Sequence, residues 1–385
     1  MRRSVLVLLL GAGCADDPGV CGDFEVEEGV VCLSERATST RPALVLGDIG
    51  PNGRTDAVVY ANDEGTHIAV QRGQFDGTFS APGPATVFPA RPLNAAVGDS
   101  DGDGVTDVLL RHAGVAEQQI CSYTVDLGDA LVEQWCVVTG VAPSGYDGHP
   151  APLWAGAFGP GGQGGFALIS RDDVLFVLDP SGIATQIQVP RSATTVPGGD
   201  VEVADLDGDG QQELLLSADG VIDRLAAPFD GTLQIAAPDA VGFYVGDLDG
   251  DGIDDLILRG AGPAGTPTPV ELRLSDGTTS SGTFPAASGY QTWLTADLDG
   301  DHRDELMARG PDDIHIVWGH AVADGRPLQP KLLEAGIAAL TSWPGIDAID
   351  IDGNGVDDLV LSLGDDTPQL GFFPWRVGEV WVSEP

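Results

Sequence analysis

The chain has 385 residues, enough for one large domain or two ordinary ones. It carries 59 acidic against 18 basic residues, a formal charge of −41. That balance excludes a nucleic-acid-binding surface, which needs clustered Lys and Arg, and favours cations, basic partners or plain solubility. The 54 glycines and 27 prolines exclude a mainly helical fold and suit many short strands joined by tight turns.

At the N-terminus, Arg2 and Arg3 precede the apolar run Val5–Leu10, and the small residues of "GAGC" end at Cys14. The run is far shorter than the roughly 20 residues a spanning helix needs. It predicts a secretory signal over residues 1–14. A cysteine directly after small residues resembles the bacterial lipoprotein cleavage site, although Gly11 stands where that family prefers leucine. The resemblance implies that Cys14 becomes the lipidated first residue of a mature lipoprotein at the outer membrane or cell surface. The alternative is ordinary signal-peptidase cleavage and a periplasmic or secreted protein. No other segment is apolar enough to span a membrane, so membrane contact is expected only through this anchor.

Residues 15–37 form a short cysteine-containing segment. Without Cys14 the chain keeps Cys21, Cys32, Cys121 and Cys136, and an even number in an exported chain predicts disulfides. Proximity favours Cys21–Cys32 and Cys121–Cys136, with three connectivities open.

From here one motif recurs in frame. "DIGPNGRTDAVV" begins at Asp48, "DSDGDGVTDVLL" at Asp99, "AFGPGGQGGFAL" at Ala157, "DLDGDGQQELLL" at Asp205, "DLDGDGIDDLIL" at Asp247, "DLDGDHRDELMA" at Asp297 and "DIDGNGVDDLVL" at Asp350. Short strand signals precede the copies ("ALVLG", "NAAVG", "DVEVA", "GFYVG", "TWLTA") and aliphatic runs follow them. Asp-Gly turns at Asp76, Asp230 and Asp276 signal a further hairpin. Four strands in about 50 residues make one propeller blade. The expectation is an all-β, seven-bladed β-propeller over residues 38–385, closed into a ring. The small residue before most copies (Gly47, Gly98, Gly156, Ala204, Gly246, Ala296) suits a crowded innermost strand.

The loop places oxygen side chains at positions 1, 3, 5 and 9. A hard cation such as Ca2+ takes six to eight oxygens at roughly 2.3–2.6 Å. Glycines at positions 4 and 6 permit the curl. An EF-hand would need glutamate at position 12, where this chain has Leu110, Leu216, Leu258, Ala308 and Leu361. Two carboxylates about 5 Å apart repel by roughly 3 kcal/mol at an effective dielectric of about 20. Without an ion, nothing in the sequence offsets that repulsion.

The repeat resembles the FG-GAP/VCBS family, whose blades also build the integrin α-subunit propeller and whose D-x-D-x-D-G-x-x-D loop binds calcium between two strands of a blade. The resemblance implies ligand sets at Asp99, Asp101, Asp103 and Asp107; at Asp205, Asp207, Asp209 and Glu213; at Asp247, Asp249, Asp251 and Asp255; and at Asp350, Asp352, Asn354 and Asp358. Two copies depart from the pattern. Asp297, Asp299, Asp301 and Glu305 match, with His302 replacing the glycine of position 6. Asp48, Asn52 and Asp56 form a weaker set, because Gly50 and Pro51 fill positions 3 and 4. The copy at Ala157 keeps the frame as a structural turn.

No G-x-S-x-G elbow, H-E-x-x-H helix or phosphate-cradling loop is present. The seven tryptophans suit blade cores, with sugar stacking on a rim as the rival. The resemblance implies a non-catalytic, calcium-binding adhesion or binding module at the cell surface, with a protein or glycan ligand. The alternatives are a polysaccharide-active lyase or hydrolase and a sugar-binding propeller lectin.

Overall fold

The computed structural model describes residues 37–373 apart from short intervals, the longest being 139–152, 189–200 and 333–344. The expectations for Cys14, Cys21, Cys32, Asn52 and Asp352, and for the turns at Asp76 and Asp230, lie outside the described residues.

The described residues open with a two-residue strand, β1 (Ala37–Thr38). Seven four-stranded antiparallel sheets then account for the described strands. The first is β2 (Ala43–Gly47), β3 (Asp56–Tyr60), β4 (His67–Gln71) and β5 (Thr86–Val87); the second is β6 (Pro92–Gly98), β7 (Asp107–Ala113), β8 (Gln118–Val125) and β9 (Leu131–Val138). The third is β10 (Leu153–Gly159), β11 (Gln163–Ile169), β12 (Val174–Leu178) and β13 (Ala184–Gln188); the fourth is β14 (Val201–Ala204), β15 (Glu213–Ala218), β16 (Val221–Leu225) and β17 (Leu233–Ala236). The fifth is β18 (Ala240–Gly246), β19 (Asp255–Gly260), β20 (Thr268–Arg273) and β21 (Thr279–Phe284). The sixth is β22 (Thr292–Ala296), β23 (Glu305–Arg309), β24 (Ile314–Val317) and β25 (Lys331–Leu332), with helix α1 (Gly319–Ala323) before its last strand. The seventh holds β26 (Gly345–Ile349), β27 (Asp358–Leu363) and β28 (Gln369–Phe373), and takes β1 as its outer strand.

This last pairing differs from a simple count of blades along the chain. Ala37 pairs with Phe372 and Thr38 with Gly371, so the residues before β2 complete the seventh sheet. The pairing covers an edge that would otherwise offer free N–H and C=O groups and ties the two ends of the repeat together. The first strands of neighbouring sheets lie side by side: β2 with β6, β6 with β10, β14 with β18, β18 with β22, and β22 with β26. Gln212 N–H donates to the Ala157 carbonyl at 3.1 Å, joining the third and fourth sheets. The Thr55 hydroxyl donates to the Asp350 carbonyl at 2.5 Å, joining the seventh to the first.

The core lies between sheets, not inside any one of them. Val108 and Leu110 pack with Val58, Ile68 and Val70 of the first sheet, whereas Leu109 between them packs with Leu153 and Phe166 of the third. Likewise Leu256 and Leu258 face the fourth sheet and Ile257 the sixth. The second strands β7 and β19 are thus buried on both faces, which explains the continuous aliphatic runs that follow their acidic loops. Each such side chain contributes roughly 1.5–3 kcal/mol. The small residues ending the first strands mark close approach between sheets. A Cβ on Gly98 would lie 2.5 Å from the Ala155 carbonyl oxygen.

Trp293 is buried, stacked on Tyr244 at 5.9 Å and edge-on to Phe284 at 4.6 Å; Trp135 stacks on Phe166. Both are core aromatics. Cys121 and Cys136, directly opposed on β8 and β9, form a disulfide.

Candidate metal centres

Every acidic copy lies between the first and second strands of its sheet, so the loops gather at equivalent corners. Loop 247–255 shows the shared geometry. Asp247 accepts N–H groups from Gly250 at 2.7 Å and Gly252 at 2.8 Å, one on each carboxylate oxygen. Asp249 accepts from Asp251 N–H at 3.2 Å, and Asp251 from Ile253 N–H at 2.9 Å. Gly250 and Gly252 have φ of 77° and 82°, the left-handed region where other residues are strained. Asp99, Asp205, Asp297 and Asp350 curl their loops in the same way. The expectation that nothing offsets the crowded acids is corrected here, because oriented backbone N–H groups neutralise part of the repulsion.

His302 holds the position-6 conformation at φ 66° without being glycine. His302→Gly is expected to raise unfolding stability by about 0.5–1 kcal/mol, after allowing for the greater chain entropy of glycine. A urea midpoint that stays put or falls would argue against stored strain at this residue.

The position-9 acids are the most buried members of their loops. Asp107, Glu213, Asp255 and Glu305 are all at most 1% exposed. Each accepts the position-2 N–H: from Ser100 at 3.1 Å, Leu206 at 2.9 Å, Leu248 at 2.9 Å and Leu298 at 2.8 Å. The other oxygen differs between loops. Asp255 accepts from Ser275 N–H at 2.8 Å and Glu305 from Gly319 N–H at 3.2 Å. Glu213 accepts from Arg224 at 2.7 Å. Asp107 Oδ1 is buried and has no hydrogen-bond partner.

Groups whose oxygens lie within 4.8 Å of one another are Asp99, Asp101 and Asp107; Asp205, Asp207, Asp209 and Glu213; Asp247, Asp249 and Asp251; and Asp297, Asp299 and Glu305. Asp103, Asp255 and Asp301 fall outside these groups, so among the described residues the full four-ligand set is assembled only at 205–213. Asp255, with both oxygens on backbone N–H groups, acts as a strut between the loop and the turn after β20. In the copy at Asp350, Asn354 accepts from Val356 N–H at 2.7 Å, and the side chain of Asp358 lies outside the described set. At Asp48 the weaker set cannot be followed through Asn52, which lies outside the described residues, and Asp56 is held by Arg72 at 2.5 Å.

These residues fit a hard divalent ion. Opposed oxygens on calcium stand about 5 Å apart, which matches the observed spread, and Asp107, a member of one group, has a buried Oδ1 without a hydrogen-bond partner. Burial pushes Asp255 up to about 7, Glu305 to about 9 and Asp299 to about 6, with neighbouring carboxylates adding to each. Asp101, Asp107 and Asp249 are raised for the same first reason. A bound cation would reverse that trend.

Position 8 carries a role the sequence did not disclose. Asp254 accepts Asp205 N–H at 2.8 Å and returns its own N–H to the Asp205 carbonyl at 3.0 Å. Asp304 does the same with Asp247, at 3.0 and 2.7 Å, and Asp357 with Asp297, at 3.1 and 2.7 Å. At two further joints the Gln212 side chain accepts Ala157 N–H at 3.2 Å and the Thr55 hydroxyl donates to the Asp350 carbonyl. At Gly164 a Cβ would lie 2.5 Å from the Asp99 carbonyl oxygen. Position 8 of each of these loops therefore latches onto position 1 of the loop before it. The available signal was a polar residue at position 8 in all six acidic copies.

Residues 37–110 match the family model described as the FG-GAP-like repeat. Comparison with curated protein sequences gave no match. Among solved structures, Saccharomyces cerevisiae Sqt1 is 7% identical, covering 90% of this chain and 100% of its own, with a TM-score of 0.52. BBS1N, crystallised with ARL6DN and soaked with mercury, is 10% identical, covering 91% and 99%, also with a TM-score of 0.52. At such identities the likeness is one of fold alone, that of a β-propeller.

Proposed function

We propose that this FG-GAP-repeat β-propeller is a seven-bladed, calcium-stiffened and non-catalytic binding module, exported and presented at the cell surface. The observation that carries the reading is the convergence of carboxylate oxygens at the same corner of successive sheets, one group including Asp107, whose buried Oδ1 has no hydrogen-bond partner. Asp99, Asp101 and Asp107, with their counterparts at 247–251 and 297–305, would hold the ions. Each ion supplies positive charge and cross-links the two ends of its loop. Asp350 and Asn354, with Asp352 and Asp358, complete the proposed set.

Two of the described histidines sit in the core, which favours a non-catalytic role. His112 is buried and stacked on Phe88 at 5.1 Å, and burial pushes it down to about 4. His315 is buried on β24. Both are shielded from the solvent through which a substrate would reach an acid or base. The partner is taken to be a surface glycan or protein, and attachment is through Cys14 if it is lipidated.

Two measurements test this. Asp251→Ala is expected to lose one bound calcium and about 1 kcal/mol of calcium-dependent stability while the fold persists. Unaltered calcium stoichiometry in that variant contradicts the ligand assignment. A glycan array and a cell-surface pull-down, each run with and without calcium, test the binding role. Capture without turnover supports it; release of shortened polysaccharide chains would establish an enzyme instead.

A further inference from the structure

Loops 48–56 and 205–213 each receive a guanidinium on the position-9 acid, whereas Arg303 donates Nε to the Asp249 carbonyl at 3.1 Å and Nη1 to Asp301, the position-5 acid of its own loop, at 3.3 Å. Arg224, on the third strand of the fourth sheet, reaches across β15 with one nitrogen, Nη2. That nitrogen donates to Asp207 Oδ2 and, at 2.7 Å, to Glu213 Oε1. These are positions 3 and 9, whose oxygens converge with those of Asp205 and Asp209. The pair is largely shielded, with the Arg224 side chain 14% exposed and that of Glu213 2% exposed. Glu213 uses its other oxygen on Leu206 N–H. In the first sheet Arg72 donates Nη1 to the position-9 acid Asp56 at 2.5 Å and Nε to Asp129 of the second sheet at 2.7 Å. A Cβ on Gly50, the position-3 residue, would lie 2.6 Å from Arg72 Nη1. The guanidinium thus fills the volume where the missing aspartate would stand.

We propose that Arg224 and Arg72 are internal counter-cations, each placed where an ion would be, so that loops 48–56 and 205–213 are held closed by the chain itself and take up no divalent ion. The inference rests on the reading of the remaining loops as calcium sites, and it divides the six acidic loops into two arginine-closed and four ion-closed ones. It also runs against the motif, because 205–213 has the complete acidic pattern. Two chemical features support the assignment. A guanidinium bound to two carboxylates satisfies them by charge-assisted hydrogen bonds without an ion. A divalent ion entering that group would meet a shielded positive charge at bonding distance from two of its ligands, and like charges that close strongly oppose binding. In loop 99–107, by contrast, the corresponding Asp107 Oδ1 lacks a hydrogen-bond partner.

The test counts calcium on the chelated and re-titrated full chain, in the natural sequence and in Arg224→Met. The natural protein is expected to bind four equivalents and the variant five. Equal, non-zero numbers in the two proteins overturn the arginine assignment while leaving the calcium reading intact. None in the natural protein and one in the variant sinks the calcium reading of the other loops and keeps the arginine assignment; none in either sinks both. Should the variant fail to fold, hydrogen exchange on the natural protein decides. Adding calcium is expected to slow exchange in 247–255 at least fivefold and leave 205–213 unchanged. Equal slowing in both segments overturns the proposal.

Discussion

Chelation of the purified protein is expected to lower its melting temperature by about 5–10 °C, and the loss should grow as pH rises from about 5 to 9. One ion at tenfold its dissociation constant contributes roughly 1.4 kcal/mol, so four independent loops contribute about 5–6 kcal/mol. For a chain of this size each kcal/mol moves the midpoint by about 1–2 °C. The pH trend comes from the buried acids. Burial raises Asp255 and Asp304 to about 7 and Glu305 to about 9 in the folded chain. Between their unfolded values near 4 and those folded values, the folded state binds more protons than the unfolded one. The contribution is therefore fully present below about pH 4 and is lost as pH rises through 7 to 9. Calcium opposes that slope through the raised acids that belong to its ligand groups, Glu305 and Asp299, which bind as carboxylates and release their protons, while the contributions of Asp255 and Asp304 remain. Differential scanning calorimetry of chelated and calcium-loaded protein at pH 5, 7 and 9 checks both parts. A chelated protein that gains stability with pH, or a melt indifferent to chelator, would refute the account.

Asp304→Ala is expected to cost about 2–3 kcal/mol, with Asp304→Asn close to neutral. Asp304 Oδ2 accepts the N–H of Asp247 at the joint between the fifth and sixth sheets. Alanine leaves that donor without its partner at a crowded joint, where an unmade hydrogen bond costs about 1–3 kcal/mol. It also opens space against Gly246, whose Cβ position lies 2.5 Å from Asp304 Oδ2. Asparagine keeps an acceptor and removes the charge that burial and the nearby Asp357, Asp247 and Asp254 already disfavour. Measured against the natural protein, both variants should gain between pH 6 and pH 8, where the natural carboxyl, raised to about 7, ionises within the fold, while the gap between the two variants stays the same. Denaturant unfolding at pH 6 and pH 8 measures it. Equal losses in both variants would mean that the joint depends on charge and not on the hydrogen bond.

Much of the fold was legible because the repeat is local. "ALVLG", "GFYVG" and "TWLTA" stand where β2, β18 and β22 run. Glycines at positions 4 and 6 turn left-handed as the curl requires. The candidate site was legible less completely. Acids at positions 1 and 3 converge in the loops at 99, 205, 247 and 297. Yet Asp255 is spent on backbone N–H groups, Glu213 and Asp56 on arginines, and the position-8 acids on neighbouring sheets. Nothing in a nine-residue motif distinguishes these fates, because each depends on a group supplied from another strand or sheet.

By itself, the sequence determined the strand-rich composition, the seven-fold frame, the local curl of each loop and the run of side chains buried on both faces. All of these follow from short-range geometry: alternation along a strand, and φ values open to glycine. Only the tertiary structure decided that Ala37–Thr38 completes the last sheet, that position 8 joins one loop to the one before it, and that Arg224 and Arg72 enter two of the acidic loops. Those are contacts between residues distant in the chain. Their partners are selected by which surfaces meet when the sheets pack in sequence, and no local pattern encodes that.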